Sequence, residues 1–445
     1  MFTFALLLLG WKKYSIDMDK KIILVGLNEI NFEYVESYIN MGYLKNFKKI
    51  FEDYGYRHTT SEEKYELLEP WIQWVTIHTG KTYDEHQIFR LGDIVEHPKL
   101  KQLWNVAEEK GLSVAAISPF NGRNDLNKPL FFIPDPWTKT KISGSPLLQD
   151  LGKAVAQAVN DNAQEKVNKS SILAFLKGAI KYIPFAKILH YFSLVSKIKK
   201  PGAKAIFLDS FLADIFIKEW KNAKPDFASL FLNTGAHVQH HYMFNSKAYT
   251  GKFDNPEWYC PKNYDPLLEV LKNYDNVLGE LLTLNTRLFI LTGLHQKPHE
   301  HLTFYWRLKD HKESLKTMGI EIFDEVLPRM SRDFLINCSS EVDAKNAQTL
   351  LESYKSKKEN MSIFTIDNRG KSLFIELTYS NDVNDTFEMF SSLTQKTLHL
   401  KPLIAFVAIK NGEHDGIGYF IDTYKKSNHE TIPLTQTFDE ICHAF

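Results

Sequence analysis

The sequence has little of what marks several classes of protein. Its 445 residues include only three cysteines, Cys260, Cys338 and Cys442. Their odd number and wide spacing exclude a disulfide framework and a zinc-finger pattern. Lysine plus arginine and aspartate plus glutamate balance at 54 each, so no net charge draws the chain to nucleic acid or to anionic lipid. A Walker loop, a dinucleotide-binding glycine fingerprint and coiled-coil heptads are absent as well.

Long apolar runs are also missing. The run from Phe2 to Trp11 is too short to span a bilayer. Lys12 and Lys13 follow this run, whereas a secretory signal carries its positive charge before the apolar segment. Because Met18 opens a domain-like sequence, we predict that residues 1–17 are a dispensable tail or a mis-assigned start. We expect a cytoplasmic protein without stable membrane insertion.

One stretch, Asp226 to Phe244, combines a strand pattern with a group of imidazoles. Its first half is apolar and predicts a buried strand. After Asn233-Thr234-Gly235 come His237, His240 and His241, and the end of a buried strand is where α/β proteins place ligand contacts. If a helix begins after Gly235, His237 and either His240 or His241 share a face and could hold one metal ion. The alternative is a helix start with solvated histidines.

Two further segments place polar groups beside predicted apolar elements. The run from Lys21 to Leu27 predicts a buried strand, and Asn28 and Glu29 follow it directly. Asn28 is either a ligand contact or a helix cap. The segment from Leu68 to Gly80 predicts a helix with Pro70 in its first turn. Glu69 precedes that proline, where the helix dipole stabilises a negative charge.

Five motifs in order along the chain carry a resemblance to a known family. They are Gly26-Leu27-Asn28, Trp74 to Gly80 with His86, Ala236 to His240, Leu294-His295, and Gly412 to Gly416. In this order they resemble the alkaline phosphatase superfamily, in its type I phosphodiesterase/nucleotide pyrophosphatase branch. The resemblance implies a three-layer α/β/α sandwich with a mostly parallel central sheet. We place this domain at residues 18–445, with a helical cap insertion at 150–200 and a smaller lobe at 302–392.

The departures from the family pattern bear on the chemistry. Family enzymes hold two metals, usually zinc, through aspartates and histidines, and attack with a threonine or serine. Here Asn28, Ala236 and Leu294 stand where the resemblance implies aspartates. Pro70 stands at the nucleophile position and cannot serve there. The family histidines remain as His240, His295 and His414.

We interpret this pattern as a rebuilt site that holds one divalent ion, zinc or alternatively manganese. The predicted metal ligands are Glu29, His240, His295 and His414. The predicted catalytic residues are Glu69 and His237. The predicted substrate-binding residues are Asn28, Gln73, Asn233, Gln239, Arg329 and Arg332. The two arginines suit a phosphate or sulfate group, although Arg332 could instead pair with Asp333 at the surface.

The expected function is a metal-dependent hydrolase or transferase that acts on a phosphate or sulfate ester of a small molecule or surface-glycan precursor. One alternative is a non-catalytic binding protein that retains the fold. Another is a transferase that uses the histidines as general base without metal. The insertion at 150–200 ends in Lys197, Lys199 and Lys200, and we interpret it as a solvated helical hairpin rather than a membrane segment.

Overall fold

A computed structural model describes residues 21–160, 168–328 and 332–445. The predicted tail at 1–17, Met18 and Arg329 lie outside the described residues. The strands are β1 Ile22–Leu27, β2 Arg57–Thr60, β3 Val114–Ile117, β4 Phe131–Ile133, β5 Phe227–Leu232, β6 Arg287–Leu291, β7 His295–Leu308, β8 Glu325–Pro328, β9 Asp333–Asn337, β10 Tyr354–Ser356, β11 Phe364–Asn368, β12 Ser372–Leu377, β13 Glu388–Ser391, β14 Thr397–His399, β15 Ile404–Asp415, β16 Ile417–Asp422 and β17 Thr431–Pro433.

The α-helices alternate with the strands in the first two thirds of the chain. They are α1 Phe32–Asn40, α2 Lys45–Tyr54, α3 Pro70–Thr79, α4 Tyr83–His86, α5 Leu103–Glu109, α6 Pro146–Asn160, α7 Lys169–Tyr182, α8 Ile188–Ser196, α9 Ala203–Ala223, α10 Thr234–Tyr242, α11 Pro266–Leu282, α12 His311–Thr317, α13 Glu341–Ser353 and α14 Gln436–Cys442. None of the helices within the described ranges is long and apolar enough to cross a membrane.

The central sheet has eight strands in the order β17-β2-β16-β6-β1-β5-β3-β4. Strand β1 lies between β5 and β6 and runs parallel to both. Strand β16 runs antiparallel to its neighbours β6 and β2. The sheet is therefore mostly parallel, and the carboxyl ends of β1, β5 and β6 meet at one edge.

Side chains of the central strands pack into two different cores. Along β1, Ile23 and Val25 belong to the core formed with α1, α9 and α11, whereas Ile22 and Leu24 belong to the core formed with α3, α5 and α14. Successive side chains of a strand point to opposite faces of the sheet. Helices therefore cover both faces, and the predicted three-layer α/β/α sandwich is confirmed.

A separate hydrophobic core lies outside the sandwich. It joins the sheet β11-β12-β9-β8 with part of the long two-stranded sheet β7-β15, and it includes Trp306, Ile336 and Ile375. The opposite end of the β7-β15 pair reaches the central sheet, where Asp415 lies across from His295. The long pair thus connects this smaller core to the carboxyl edge of the central sheet.

One local expectation is wrong. Residues 121–138 contain asparagine, glycine, proline and aromatic residues without periodicity, which predicts one long loop, yet β4 lies within them and pairs with β3. The apolar run 403–409 predicts a core strand, and it forms part of β15, where Ile404, Ala408 and Ile409 are buried. This strand pairs with β7 outside the central sheet. The strand that completes the sheet after β15 is β16, whose sequence IGYFID was not recognised.

Candidate metal centre

The turn after β1 places a carboxylate at the carboxyl edge of the sheet. The backbone N–H of Asn28 donates to the backbone carbonyl of Leu232, and the backbone N–H of Glu29 donates to the backbone carbonyl of Thr292. Glu29 itself has a left-handed backbone with φ of 60°. This conformation costs a non-glycine residue about 1–2 kcal/mol, and such strain concentrates at functional sites. The turn is therefore held between β5 and β6 with the Glu29 side chain 2% exposed.

Three ligand-type atoms converge at this edge. His240 comes from α10 and His414 from the end of β15. Their Nε2 atoms lie 3.1 and 3.2 Å from Oε2 of Glu29. The two Nε2 atoms lie 3.2 Å from each other. The three atoms form a nearly equilateral triangle, which makes Glu29, His240 and His414 a candidate metal group.

The dimensions of this triangle fit a divalent ion. Zinc bonds of about 2.0–2.1 Å in tetrahedral geometry separate the ligand atoms by about 3.3 Å. The donor set of two imidazoles and one carboxylate is typical of a catalytic zinc site with an open position. The two Nε2 atoms, 3.2 Å apart, are close enough either to share one proton in a hydrogen bond or to ligate one cation between them.

Buried amides hold the triangle in place. Gln296 Nε2 donates to Glu29 Oε2 at 2.5 Å and to the carbonyl of Ala236 at 3.1 Å. Asn28 Nδ2 donates to Glu29 Oε1 at 3.1 Å. Gln239 Nε2 donates to the backbone carbonyl of Glu29 at 2.6 Å. Such partners fix the orientation of a ligand and are part of the design of metal sites.

The imidazoles and the carboxylate also shift each other's proton affinity. Burial would raise the pKa of Glu29, but the neighbouring His414 and His240 outweigh burial and hold the pKa of this carboxyl well below its usual range. Burial would lower the pKa of His414, yet the negative charge of Glu29 raises it. Glu29 is therefore an ionised, buried carboxylate, which is the form a metal requires.

Glu69 lies beside the triangle as the residue that precedes α3. Its Oε2 is 3.8 Å from Nδ1 of His414, beyond hydrogen-bond distance, and its side chain is 32% exposed. Burial raises the pKa of Glu69 to about 7, with His414 opposing this shift and Glu29 adding to it. Its side chain accepts no hydrogen bond from the first turn of α3. The ionised form expected from the helix dipole is therefore not strongly favoured.

The structure does not bring His295 into the triangle. Its Nδ1 donates to the backbone carbonyl of Ile417 at 2.6 Å, and its ring lies against Tyr419 with centroids 5.4 Å apart. Neighbouring residues of a strand point to opposite faces. Because Gln296 points to Glu29, His295 points away from it.

Three predicted substrate-binding amides are instead buried structural groups. Asn28 accepts a hydrogen bond from Trp74 Nε1 at 2.8 Å and donates to Asn233 and Glu29. Gln239 bonds the backbone on both sides of Ile30. Gln73 donates to the carbonyl of Leu67 at 2.8 Å. All three are at most 1% exposed, so none faces a substrate.

Two other predicted residues border the site on its open side. His237 is exposed on α10, and its ring faces His241, with centroids 4.9 Å apart. Of the two pairings that the sequence allows for His237, with His240 or with His241, the structure shows the ring of His237 facing His241, while the ring of His240 faces His414. Asn233 is half-buried, and its Oδ1 accepts from Asn28.

The arginine prediction has a different outcome. Arg329 lies outside the described residues. Arg332 lies in the smaller lobe, where its guanidinium pairs with Glu376 at 3.3 Å and stacks on the ring of Tyr305 at 4.6 Å. The carboxylate in this ion pair is that of Glu376, whereas the sequence suggested Asp333 as the partner. The guanidinium already has a carboxylate partner and an aromatic face.

Sequence reasoning missed two residues that position the site. Trp74 packs in the core, and its indole N–H also donates to Asn28. Gln296 contacts Glu29 directly through its side-chain amide. The sequence signal for Gln296 is its position directly after the predicted ligand His295, where a side-chain amide is available to contact the metal site.

Comparisons with known proteins give a fold-level likeness. No family model matches the chain, and no curated protein sequence matches it. Solved structures that it is similar to include phosphonoacetate hydrolase from Sinorhizobium meliloti 1021, at 13% identity and a TM-score of 0.43 over 96% of both chains. Human ectonucleotide pyrophosphatase/phosphodiesterase 5 is similar at 12% identity and a TM-score of 0.44, over 95% of this chain and 94% of that one.

A third similar structure is the alkaline phosphatase from the Antarctic bacterium TAB5. It shares 10% identity at a TM-score of 0.39, over 95% of this chain and 97% of that one. At these identities and scores the likeness carries no information on substrate or activity, which rest on the residues of the site.

Proposed function

We propose that this chain is a metal-dependent hydrolase or transferase that acts on a phosphate or sulfate ester. The observation that carries the proposal is the triangle of Glu29 Oε2, His240 Nε2 and His414 Nε2, with edges of 3.1–3.2 Å. The ionisable Glu69 beside this triangle supports catalysis over metal binding alone, because a carboxyl next to a metal site can take a proton from an attacking water. Glu29, His240 and His414 would hold one divalent ion, with zinc as the best fit to the donor set.

When bound, the ion would supply Lewis-acid polarisation of an ester oxygen. The side chains of this chain supply the rest of the chemistry. The rings of His240 and His414 and the carboxylate of Glu29 are oriented by buried amides, so they need little rearrangement on substrate binding. The open side of the site carries Asn233 and His237, whose polar groups could position an anionic ester.

Glu69 is the proposed general base. Its pKa of about 7 lets it take up and release a proton near neutral pH. A water or an acceptor hydroxyl forms a bond to phosphorus or sulfur and gives its proton to the Glu69 carboxylate. The bond between that atom and the ester oxygen breaks, the ester oxygen takes up a proton from solvent and leaves as the alcohol, and Glu69 returns its proton to solvent. Pro70 has no hydroxyl, so no covalent enzyme intermediate forms at that position.

The test measures turnover of chromogenic phosphate monoesters, phosphate diesters and sulfate esters by the full chain with added zinc or manganese. On a substrate so identified, Glu69→Gln should lower kcat by about 10²–10⁴-fold with metal affinity unchanged. The exposed His399 at the end of β14 provides the control variant His399→Ala, which should keep full activity.

Three outcomes would contradict parts of the proposal. A variant Glu69→Gln that loses metal rather than kcat would make Glu69 a positioning residue for His414. A phosphorylated or sulfated residue trapped during turnover and found by mass spectrometry would refute direct attack. A protein that binds one ion but turns over none of these ester classes would support the alternative of a binding protein.

The substrate is proposed to be a small molecule or a surface-glycan precursor. Support comes from the exposed His237 and the half-buried His240 and Asn233, which leave the site accessible from solvent. A comparison of sugar-phosphate, nucleotide and sulfated-sugar esters at equal concentration tests this class. Equal kcat/KM for all of them and for a simple aryl ester would argue against any glycan preference.

A further inference from the structure

The outer faces of α7 and α8 carry large apolar side chains that are open to solvent. They are Ile172, Leu173, Leu176 and Ile180 on α7, Phe185 in the connection, and Ile188, Leu189, Phe192 and Val195 on α8. Ile180, Phe185 and Leu189 are 87%, 90% and 82% exposed. Scattered exposed apolar residues are ordinary, but a contiguous group of this size marks an interaction surface.

The exposed side chains of each helix lie on one stripe. At 3.6 residues per turn, the four positions on α7 span about 100° of the helix, and the four on α8 span about 120°. Buried small residues face the other way on α7, where Gly178 packs between Leu151 and Phe211. Each helix therefore carries an apolar stripe on its solvent side in addition to the inner face by which it packs on the rest of the protein.

Both stripes point to the same side of the molecule. The inner face of α7 packs on α9 through Phe175 and Phe211, and the inner face of α8 packs on α9 through Tyr191 and Phe207. Phe207 and Phe211 are four residues apart, so they share one face of α9. Since α7 and α8 lie on the same face of α9, their outer stripes form one surface, here called the α7–α8 surface.

The segment that carries this surface has charge of one sign, and acids of neighbouring elements neutralise only part of it, since Glu219, Asp214 and Glu269 pair with Lys181, Lys187 and Lys197. Residues 168–208 contain eight lysines and no aspartate or glutamate. Five of these lysines are exposed and form no ion pair within the described part of the chain: Lys169, Lys177, Lys199, Lys200 and Lys204. The chain as a whole is neutral, so this local excess is a property of the insertion. The hairpin differs from the solvated one predicted because its outer faces are apolar.

We propose that the α7–α8 surface docks on an anionic membrane. Amphipathic helices with large apolar residues on one face and lysines beside them lie in the plane of the lipid interface. Lysines near the bilayer add attraction to anionic headgroups within a Debye length. The acid-free charge favours an anionic lipid surface over a second copy, because two such surfaces would bring lysines against lysines.

The test is co-sedimentation of the full chain with vesicles of phosphatidylcholine alone or with about 30% phosphatidylglycerol. The test variant changes the four most exposed apolar side chains to serine: Ile180→Ser, Phe185→Ser, Leu189→Ser and Phe192→Ser. The matched control changes four side chains of similar exposure in other regions: Trp258→Ser, Ile322→Ser, Val342→Ser and Leu393→Ser. All eight positions are exposed, so the fold should tolerate both sets.

The wild-type chain and the control variant should bind anionic vesicles, and the test variant should bind at least about tenfold more weakly. Binding should weaken at high salt, because the lysine contribution is screened. Equal binding by the test and control variants would overturn the proposal, because the membrane contact would then lie elsewhere. Equal binding of the wild-type chain to neutral and anionic vesicles would also overturn it. A wild-type dimer in sedimentation velocity that the test variant abolishes, without vesicle binding, would identify a second copy as the occupant.

Discussion

Replacing Gln296 by leucine should weaken the metal centre without removing any ligand. Gln296 is fully buried, and its Nε2 donates to Glu29 Oε2 at 2.5 Å. Leucine keeps a similar volume but cannot donate. A hydrogen bond to a charged group contributes about 1.5–3 kcal/mol. Loss of such a partner typically lowers metal affinity about 10–100-fold, which corresponds to about 1.4–2.8 kcal/mol.

The assay is a competition titration of zinc against a fluorescent chelator. Gln73→Leu is the matched control, because Gln73 is also fully buried, donates to one carbonyl, and has an Oε1 without a partner among the described residues, as Gln296 does. We expect Gln296→Leu to raise the zinc dissociation constant about 10–100-fold and Gln73→Leu to leave it unchanged. An unchanged constant in Gln296→Leu, or equal losses in both variants, would refute the reasoning.

Two further predictions concern buried side chains near the site. Trp74→Phe should lower the free energy of unfolding in urea by about 1–3 kcal/mol, because Asn28 Oδ1 loses its donor, and it should also weaken metal binding. The control Trp104→Phe removes a similar hydrogen bond to the Arg123 carbonyl and should lower stability without changing metal binding. Burial lowers the pKa of His78 to about 3, so only the unfolded chain takes up this proton as the pH falls below about 6.5. His78 should therefore lower the free energy of unfolding by about 2 kcal/mol between about pH 6.5 and pH 4.5, and His78→Leu should remove that part of the pH dependence. The same dependence of unfolding free energy on pH in wild type and variant would contradict the assignment.

The central strands were readable from the sequence because they are short apolar runs. Strands β1 and β5 are continuous buried segments, and polar residues follow each of them directly. This pattern predicts buried strands and the edge at which ligand contacts lie, while the mostly parallel sandwich was implied by the family resemblance. Strand β4 was missed because prolines and asparagines surround its three residues, and a three-residue strand is too short for a periodic signal.

The site was readable in part. Glu29 and His240 follow predicted strands, so proximity at the sheet edge could be inferred for them. The role of His295 could not be inferred from the sequence, because a shift of one residue in strand register decides whether His295 or Gln296 points to Glu29. In the structure Gln296 lies across from His414 in the β7-β15 pair, which puts the amide beside the triangle.

The orientation of α10 decided the other histidine assignment. At about 100° per residue, His240 and His241 both lie within about 60° of His237 around the helix. In the structure His237 faces His241, and His240 faces His414. Sequence spacing gives both pairings, and only the packing of α10 against β15 selects between them.

The most direct test of the central claim is the metal content of the purified full chain after dialysis against limiting zinc. The ligand variants Glu29→Gln, His240→Ala and His414→Ala would be measured beside His295→Asn and His399→Ala, with circular dichroism to show that each is folded. The account predicts about one ion per chain in the wild type, His295→Asn and His399→Ala, and loss of that ion in the three ligand variants. A wild-type chain without metal, or ligand variants that keep it, would contradict the claim that Glu29, His240 and His414 form a metal centre.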